Sequence, residues 1–247
     1  MEVEQKQNSL PIAIAIVIAG ALIAGAVYMG TSRIDAASAP QQQIEARQTD
    51  DLERMKPVTK EDHIRGDLDA RVKIVEYSDM ECPFCKRFHE TMKQVTSEYG
   101  GEVAWVYRHF PLDQLHPIKA RKEAVASECA AAQGGPSSSL GTSNDAFWKY
   151  TDRFFELTPS NNQTNIDTML PQIAKEIGLD ATRFATCLKS GKYDAHIEEE
   201  VQNAMATGGN GTPWSIIVTK SGKKYPLSGA QPYDAVKQLI EIALKDK

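Results

Sequence analysis

The chain of 247 residues is 41% hydrophobic and 25% charged, a composition typical of a globular protein rather than a disordered one. Its length suffices for one sizeable domain, or for one domain that carries an insertion. The formal net charge of -5 and the lack of a Lys/Arg-rich run in the sequence argue against a nucleic-acid partner, because binding to phosphates needs a concentrated basic surface.

The N-terminal region predicts a membrane anchor. No residue from Gln7 to Ser32 is charged, and the apolar stretch within it is close to the ~20 residues that a helix needs to cross a bilayer. We therefore predict a cytoplasmic tail (1–10), a transmembrane helix (11–29) and a flexible tether (30–56).

A cleaved signal peptide is the alternative for the same region. Ala37-Ser38-Ala39 has the small residues of a cleavage site, but Pro40 follows it directly. The apolar region of a signal peptide usually runs only ~7–15 residues, so the length of this one favours an uncleaved anchor.

The folded part is predicted to begin at Pro57. A β-branched run at 72–77 predicts a buried strand, and apolar residues at helical spacing from Phe84 to Tyr99 predict a helix that ends at Gly100. A second strand is predicted at 103–107. These elements form a strand–helix–strand unit.

The rest of the chain is predicted to contain a block of helices, two further strands and a final helix. The periodicity is helical at about 116–205, and two strands follow, at 214–219 and near 224–227. Pro232 then opens a final amphipathic helix. The predicted order is βαβ, a helical block, and ββα, within one domain spanning 57–247.

The most informative motif is Cys82-Pro83-Phe84-Cys85, where the first strand gives way to the helix. Unpaired backbone N–H groups and the helix dipole lower the pKa of a cysteine at a helix N-terminus, which predicts Cys82 as a nucleophile. Cys85, one turn further on, is placed to resolve a mixed disulfide.

A zinc half-site or an inert disulfide is the alternative for this cysteine pair. Four-coordinate zinc usually takes a second close pair of Cys or His ligands. Cys129 and Cys187 stand 58 positions apart with no ligand at metal-like spacing beside either, so the redox interpretation is favoured. We expect no metal.

Further motifs accompany the cysteine pair: VEYSDMECPFCKRFHE (Val75–Glu90), YRHFPL (Tyr107–Leu112), His116-Pro117 and GTP (Gly211–Pro213). In these residues and in the order of its elements, the chain from Pro57 onward resembles the DsbA-like family of the thioredoxin superfamily. The resemblance implies an α/β thioredoxin-like fold with an inserted all-helical domain, and disulfide exchange with thiols of exported proteins. It needs no cofactor other than the redox-active disulfide Cys82–Cys85.

Family roles can be carried over to matching positions. Pro213 resembles the cis-proline that faces the active-site disulfide, and Thr212 before it would offer backbone hydrogen bonds to an extended substrate. Pro83 and Phe84 complete the expected substrate-binding set. Glu76 resembles the superfamily's buried acid, which assists proton transfer at the resolving cysteine; the alternative is a strand residue that faces solvent.

Two histidines of the matched motifs, His109 and His116, are expected to be structural, because nothing in the sequence brings either near Cys82.

One departure from the family pattern bears on the redox direction. Strong oxidants of this family typically carry a histidine where this chain has Phe84, and a phenyl ring cannot support a thiolate. Glu81 is expected to act in the same direction by like-charge repulsion. If the reduced form is less stabilised than in those oxidants, Cys82 has a higher pKa and the disulfide is a weaker oxidant. An oxidant is the favoured interpretation; the alternatives are a reductase or isomerase, or a non-catalytic binding or chaperone module.

Cys129 and Cys187 both fall on apolar faces of predicted helices, either as two buried free thiols or as a structural disulfide. The predicted location is the cell (inner) membrane, single-pass, with the catalytic domain facing the periplasm or extracytoplasmic space. The expected partners are exported proteins that contain thiols or disulfides, and a membrane redox partner that recycles the site.

Overall fold

The computed structural model describes residues 50–246. The predicted cytoplasmic tail, transmembrane helix and tether up to residue 49 lie outside this range. None of the helices within it combines the length and the apolar character that crossing a bilayer requires.

A five-stranded sheet forms the centre of the described region, in the order β1-β3-β2-β4-β5. The central pair, β2 and β3, is parallel, and the other neighbours are antiparallel. The sequence did not predict the short edge strand β1. The strands are β1 (His63–Arg65), β2 (Val72–Ser78), β3 (Val103–His109), β4 (Trp214–Thr219) and β5 (Lys224–Ser228).

The helices divide into two sets. The helical insert between β3 and β4 is made of α2 to α6, while α1 joins β2 to β3 and α7 follows β5, so the predicted βαβ, helical block, ββα order is confirmed. The bounds are α1 (Pro83–Tyr99), α2 (Lys119–Ala131), α3 (Ser143–Leu157), α4 (Ile166–Glu176), α5 (Ala181–Leu188), α6 (Asp194–Ala206) and α7 (Tyr233–Ala243).

Helix α1 is specified locally. Pro83 occupies its first turn, where no backbone donor is needed, and its apolar stripe, including Phe88, Met92 and Val95, is fully buried. The helix ends at Gly100, which has a positive φ of 52°. The stripe therefore fixes which face of α1 meets the sheet, and the first turn lies beside the end of β2.

The folded region begins earlier than the sequence predicted. Leu52 and Met55, assigned to the tether, are buried in the core. Asn203 of α6 donates to the carbonyl of Arg54 at 2.8 Å and accepts from the backbone N–H of Lys56 at 3.1 Å. The predicted boundary at Pro57 is thus corrected: residues 50–56, assigned to the tether, are part of the described fold.

A disulfide joins two helices of the insert. Cys129 of α2 and Cys187 of α5 are bonded, with their Cα atoms 5.8 Å apart. Of the two alternatives that the sequence left open, the structure contains the bonded pair. The bond cross-links α2 to α5, 58 positions apart in the chain.

Candidate active site

The two remaining cysteines lie at the start of α1. Cys82 is the N-cap residue and Cys85 is in the first turn. The backbone N–H of Cys82 donates to the carbonyl oxygen of Asp79 at 3.1 Å, which fixes the turn from β2 into the helix. The structure has both as free thiols; Cys85 is completely buried, and Cys82 retains 4% of its surface.

The pKa of Cys82 is lowered to about 6. Hydrogen bonds from the Cys85 thiol and from the backbone N–H groups of Cys85 and Phe84 favour the thiolate, although burial opposes them. Relative to an ordinary thiol, these hydrogen bonds thus lower the pKa of Cys82 without a histidine at position 84.

The Glu81 side chain, next to the nucleophile, contacts the helical insert. Its carboxylate is fully buried, and Oε1 accepts from the backbone N–H of Thr164 in the insert at 3.1 Å. The carbonyl oxygen of Glu81 also accepts from the backbone N–H of Asn161 at 2.7 Å. The residue before the nucleophile therefore attaches the motif to the helical insert.

Cys85 is shifted in the opposite direction from Cys82. Burial raises its pKa well above the ordinary value of a thiol, and hydrogen bonding to Cys82 and the Cys82 charge raise it further, as do the charges of Glu76 and Asp79. The backbone N–H of Asp79 donates to its sulfur at 3.4 Å. The structure thus favours the thiolate form of Cys82 and the protonated form of Cys85.

Glu76 lies on β2, on the side of the sheet that faces α1. It is 1% exposed, which rules out the alternative of a solvent-facing residue. Its Oε2 accepts from the indole N–H of Trp105 at 2.8 Å. Burial raises the pKa of Glu76 to about 7, although the hydrogen bond from Trp105 opposes this rise. The carboxyl group can therefore gain or lose a proton near neutral pH.

The loop before β4 closes the site. The Thr212–Pro213 peptide bond is cis, and the Cys82 thiol lies 3.6 Å from the carbonyl oxygen of Thr212. The carbonyl oxygen of Pro213 accepts from the backbone N–H of Gly229 at 2.9 Å, which ties the loop to the end of β5. Residues more than 120 positions apart in the chain are therefore in contact at the nucleophile.

Pro83 and Phe84 form the outer rim of the motif. Both are exposed, and the Phe84 ring retains 53% of its surface. The guanidinium of Arg87, one turn further along α1, lies 5.1 Å from the ring centroid. The rim thus presents an apolar surface with a cationic neighbour.

Sequence reasoning missed one part of the site. His116, at the start of the insert, lies 2.8 Å from Oδ2 of Asp79 through its Nδ1, and so belongs to the surroundings of the cysteines. His109 instead contacts Glu128, at 3.0 Å. The available signal was that β2 and β3 are parallel neighbours, so the residues that follow each strand meet at one edge of the sheet.

The groups together can exchange disulfides. A thiolate held at a helix N-terminus, a protonated partner thiol one turn away and a titratable carboxyl behind it are what the formation and resolution of a mixed disulfide require. Within residues 50–246, no group of three or more His, Cys, Asp or Glu side chains is arranged to hold a metal ion.

Comparison with known proteins agrees with this geometry. The sequence model of the thioredoxin family matches residues 58–241. The crystal structure of Pseudomonas aeruginosa DsbA2 is similar, with 31% sequence identity and a TM-score of 0.64, over 77% of this chain and 98% of that chain. Oxidised BdbD from Bacillus subtilis shares the fold at 22% identity and a TM-score of 0.64, over 77% of this chain and 97% of that chain.

Matches to longer proteins also occur. The Na(+)/H(+) antiporter NhaA 1 of Mycolicibacterium gilvum is 31% identical over 188 residues, which cover 74% of this chain and 27% of the antiporter. The chain spans about a quarter of the length of the curated relatives it matches.

Proposed function

This chain belongs to the DsbA-like thiol–disulfide oxidoreductases of the thioredoxin superfamily, and we propose that it oxidises thiols of exported proteins through the Cys82–Cys85 disulfide. In the oxidised state, a substrate thiolate attacks the Cys82 sulfur, and Cys85 leaves as a thiolate. A second substrate thiolate then attacks the substrate sulfur of the mixed disulfide, so that the substrate gains the disulfide and Cys82 leaves. Two electrons and two protons pass to the cysteine pair.

The observation that carries this proposal is the opposite displacement of the two thiol pKa values. Cys82, lowered to about 6, is a good leaving group and leaves the reduced form stabilised. At pH 7, a thiolate with that pKa is stabilised by about 1.4 kcal/mol relative to an ordinary thiol, which makes the disulfide on the order of 30 mV more oxidising. The shift therefore favours a disulfide donor despite Phe84.

Glu76 supplies the proton in this scheme. When Cys85 leaves during formation of the mixed disulfide, it is a buried thiolate whose pKa is raised, so it takes up a proton readily. Glu76 has a pKa of about 7 and lies on the buried side of the pair, which suits it to deliver that proton and to be reprotonated at neutral pH.

The substrate would bind along the cis-proline loop. An extended peptide whose cysteine is bonded to Cys82 lies next to Thr212 and Pro213, where backbone groups can pair with it as an added strand does. Pro83 and the half-exposed Phe84 would contact the residues beside the substrate cysteine. This mode recognises backbone and an apolar neighbour rather than one defined sequence.

The redox potential of the Cys82/Cys85 pair tests the direction of the reaction. The full-length protein is equilibrated with glutathione mixtures, and the oxidised fraction is read by mass spectrometry of the peptide that contains both cysteines. We expect a value toward roughly -120 mV; a value toward roughly -270 mV would instead assign a reductase that needs an electron supply. Cys82→Ala, which removes the nucleophile, is the control for exchange with unrelated thiols.

We further propose that residues 11–29 anchor the protein in the cell membrane with the catalytic domain outside the cytoplasm, where a membrane redox partner reoxidises the pair. The uncharged N-terminal segment and the Cys129–Cys187 disulfide, a bond typical of oxidising compartments, support this location. Extraction of membranes with carbonate should leave the protein bound, and protease added to spheroplasts should remove the domain. Release by carbonate, or protection from protease, would contradict the proposal.

A further inference from the structure

A buried carboxylate lies directly behind the cysteine pair. The Asp79 side chain is completely buried, and each of its oxygens accepts hydrogen bonds. Oδ1 accepts from the backbone N–H of Glu81 at 2.8 Å, and Oδ2 accepts from the backbone N–H of Leu112 at 2.9 Å. The third partner is the imidazole of His116, with Nδ1 2.8 Å from Oδ2.

The backbone of Asp79 touches both cysteines. Its N–H donates to the Cys85 sulfur at 3.4 Å, and its carbonyl oxygen accepts from the Cys82 N–H at 3.1 Å. The imidazole of His116 is therefore separated from the reacting sulfurs by a single residue. A change of charge on His116 occurs in a site with little water to screen it.

The charges of Asp79 and His116 act on the two thiols. Asp79 alone would disfavour a thiolate at either cysteine, because two negative charges would lie close together in a buried site. A protonated imidazole on Oδ2 cancels that repulsion. Phe84, between the cysteines, can provide no such charge.

We propose that His116, held by Asp79, is a positioning residue that keeps a positive charge behind the cysteine pair and thereby favours the Cys82 thiolate. The inference rests on the proposed function, since it assumes that the Cys82 thiolate is the reacting species. His116 acts through Asp79 and touches no reacting atom.

The groups that face His116 support its protonation. The hydrogen bond from His116 to Asp79 raises the pKa of the imidazole, and the negative charges of Asp79, Cys82 and Glu81 raise it further, against burial. These groups come from the end of β2 and the start of α1. All three carry or can carry a negative charge.

Helix α2 faces the same cluster with two titratable groups. Glu123 is fully buried; burial and the neighbouring Glu81 raise its pKa to about 10, so Glu123 stays neutral and adds no charge near pH 7. Lys119, at the start of the same helix, donates through its ammonium to the carbonyl oxygen of Asn162 at 2.5 Å. Among the described residues, His116 is therefore the basic side chain that pairs with Asp79.

A set of isosteric variants tests the inference. His116→Asn keeps a donor at the position of Nδ1 but removes the charge, and Asp79→Asn removes the opposite charge. The rate of Cys82 alkylation by iodoacetamide is measured between pH 4 and 9 on the reduced full-length protein, with each cysteine read separately by peptide mass spectrometry. His116→Asn should raise the Cys82 pKa by about one unit, and Asp79→Asn should lower it.

Two further variants separate an electrostatic from a merely structural role. In the double variant His116→Asn/Asp79→Asn, the Cys82 pKa should lie close to the wild-type value, because both charges are gone. His63→Gln is the control, since His63 is a partly buried histidine that is also bonded to a carboxylate, 2.7 Å from Oε1 of Glu128, and should leave Cys82 unchanged. Shifts of the two single variants in the same direction, or an unchanged Cys82 in His116→Asn, would overturn the inference.

A measurement on the wild-type protein needs no variant to fold. Because linkage is reciprocal, His116 should bind its proton more tightly when Cys82 is a thiolate than when the pair is oxidised. NMR titration of the His116 ring in both redox states should show a higher pKa in the reduced state, and equal values would overturn the inference. Neither readout uses a protein substrate, so failure to oxidise protein thiols would count against the proposed function alone.

Discussion

Replacing Glu76 by glutamine should make the folded protein more stable, and increasingly so as the pH rises. Glutamine has nearly the same shape and can still accept the hydrogen bond from the Trp105 indole, 2.8 Å away. It removes only the ionisation of a side chain that is almost completely buried. The gain depends on pH because the wild-type carboxyl must ionise inside the protein.

The magnitude follows from the displaced pKa. Burial raises the pKa of Glu76 from 4.5 to about 7, so the folded state keeps the proton while the unfolded state releases it. Wild-type stability therefore falls as the pH rises through this window and levels off above it. Between pH 5 and pH 8 the loss is about 2–3 kcal/mol, which Glu76→Gln should not suffer.

Urea unfolding of oxidised wild type and Glu76→Gln at pH 5, 6, 7 and 8 measures this difference. Glu200→Gln is a matched control, because burial also raises the pKa of Glu200 to about 7, on a residue that contacts His109 rather than the cysteines. The stability advantage of both variants over the wild type should grow with pH, but only Glu76→Gln should slow proton transfer at Cys85. A stability difference that stays constant from pH 5 to pH 8 would refute the reasoning.

The remaining predictions concern the thiols and the core. Cys85→Ala should still attack disulfides through Cys82 but should accumulate mixed disulfides, visible on non-reducing gels, because no thiol resolves them; absence of such adducts would argue against the assigned order of attack. Removing the Cys129–Cys187 bond by a double alanine substitution should lower the free energy of unfolding by about 4 kcal/mol, from the 58-residue separation, while the Cys82 pKa stays unchanged. Leu52→Ala should cost about 2–5 kcal/mol in urea unfolding, since the side chain is buried; a change near zero would place residue 52 in the tether, as the sequence predicted.

Features encoded by neighbouring residues could be predicted from the sequence. The stripe of Phe88, Met92 and Val95, with Pro83 at one end and Gly100 at the other, specifies α1 without reference to the rest of the chain. The elements of the sheet, except β1, were also recognisable. Strand β1 could not be predicted, because its three half-buried residues carry no alternating pattern. It is a strand only because it pairs with β3.

The burial of residues 50–56 could not be predicted for a related reason. The segment is polar and lacks sustained periodicity, yet Leu52 and Met55 enter the core and Asn203 binds the backbone beside them. Two isolated apolar residues give no signal in a window of sequence. Their burial depends on the surface that α6 offers, which is assembled from a segment some 150 positions away.

What the sequence determined by itself was the reacting pair, since the spacing of Cys82 and Cys85 and their place between a strand and a helix are local facts. The tertiary structure decided the pKa values of the two thiols. It places Thr212 in contact with Cys82, buries Cys85 close to Glu76, and brings His116 to Asp79. A pKa depends on burial and on charges within a few ångströms. These are distances between parts of the chain that only folding brings together.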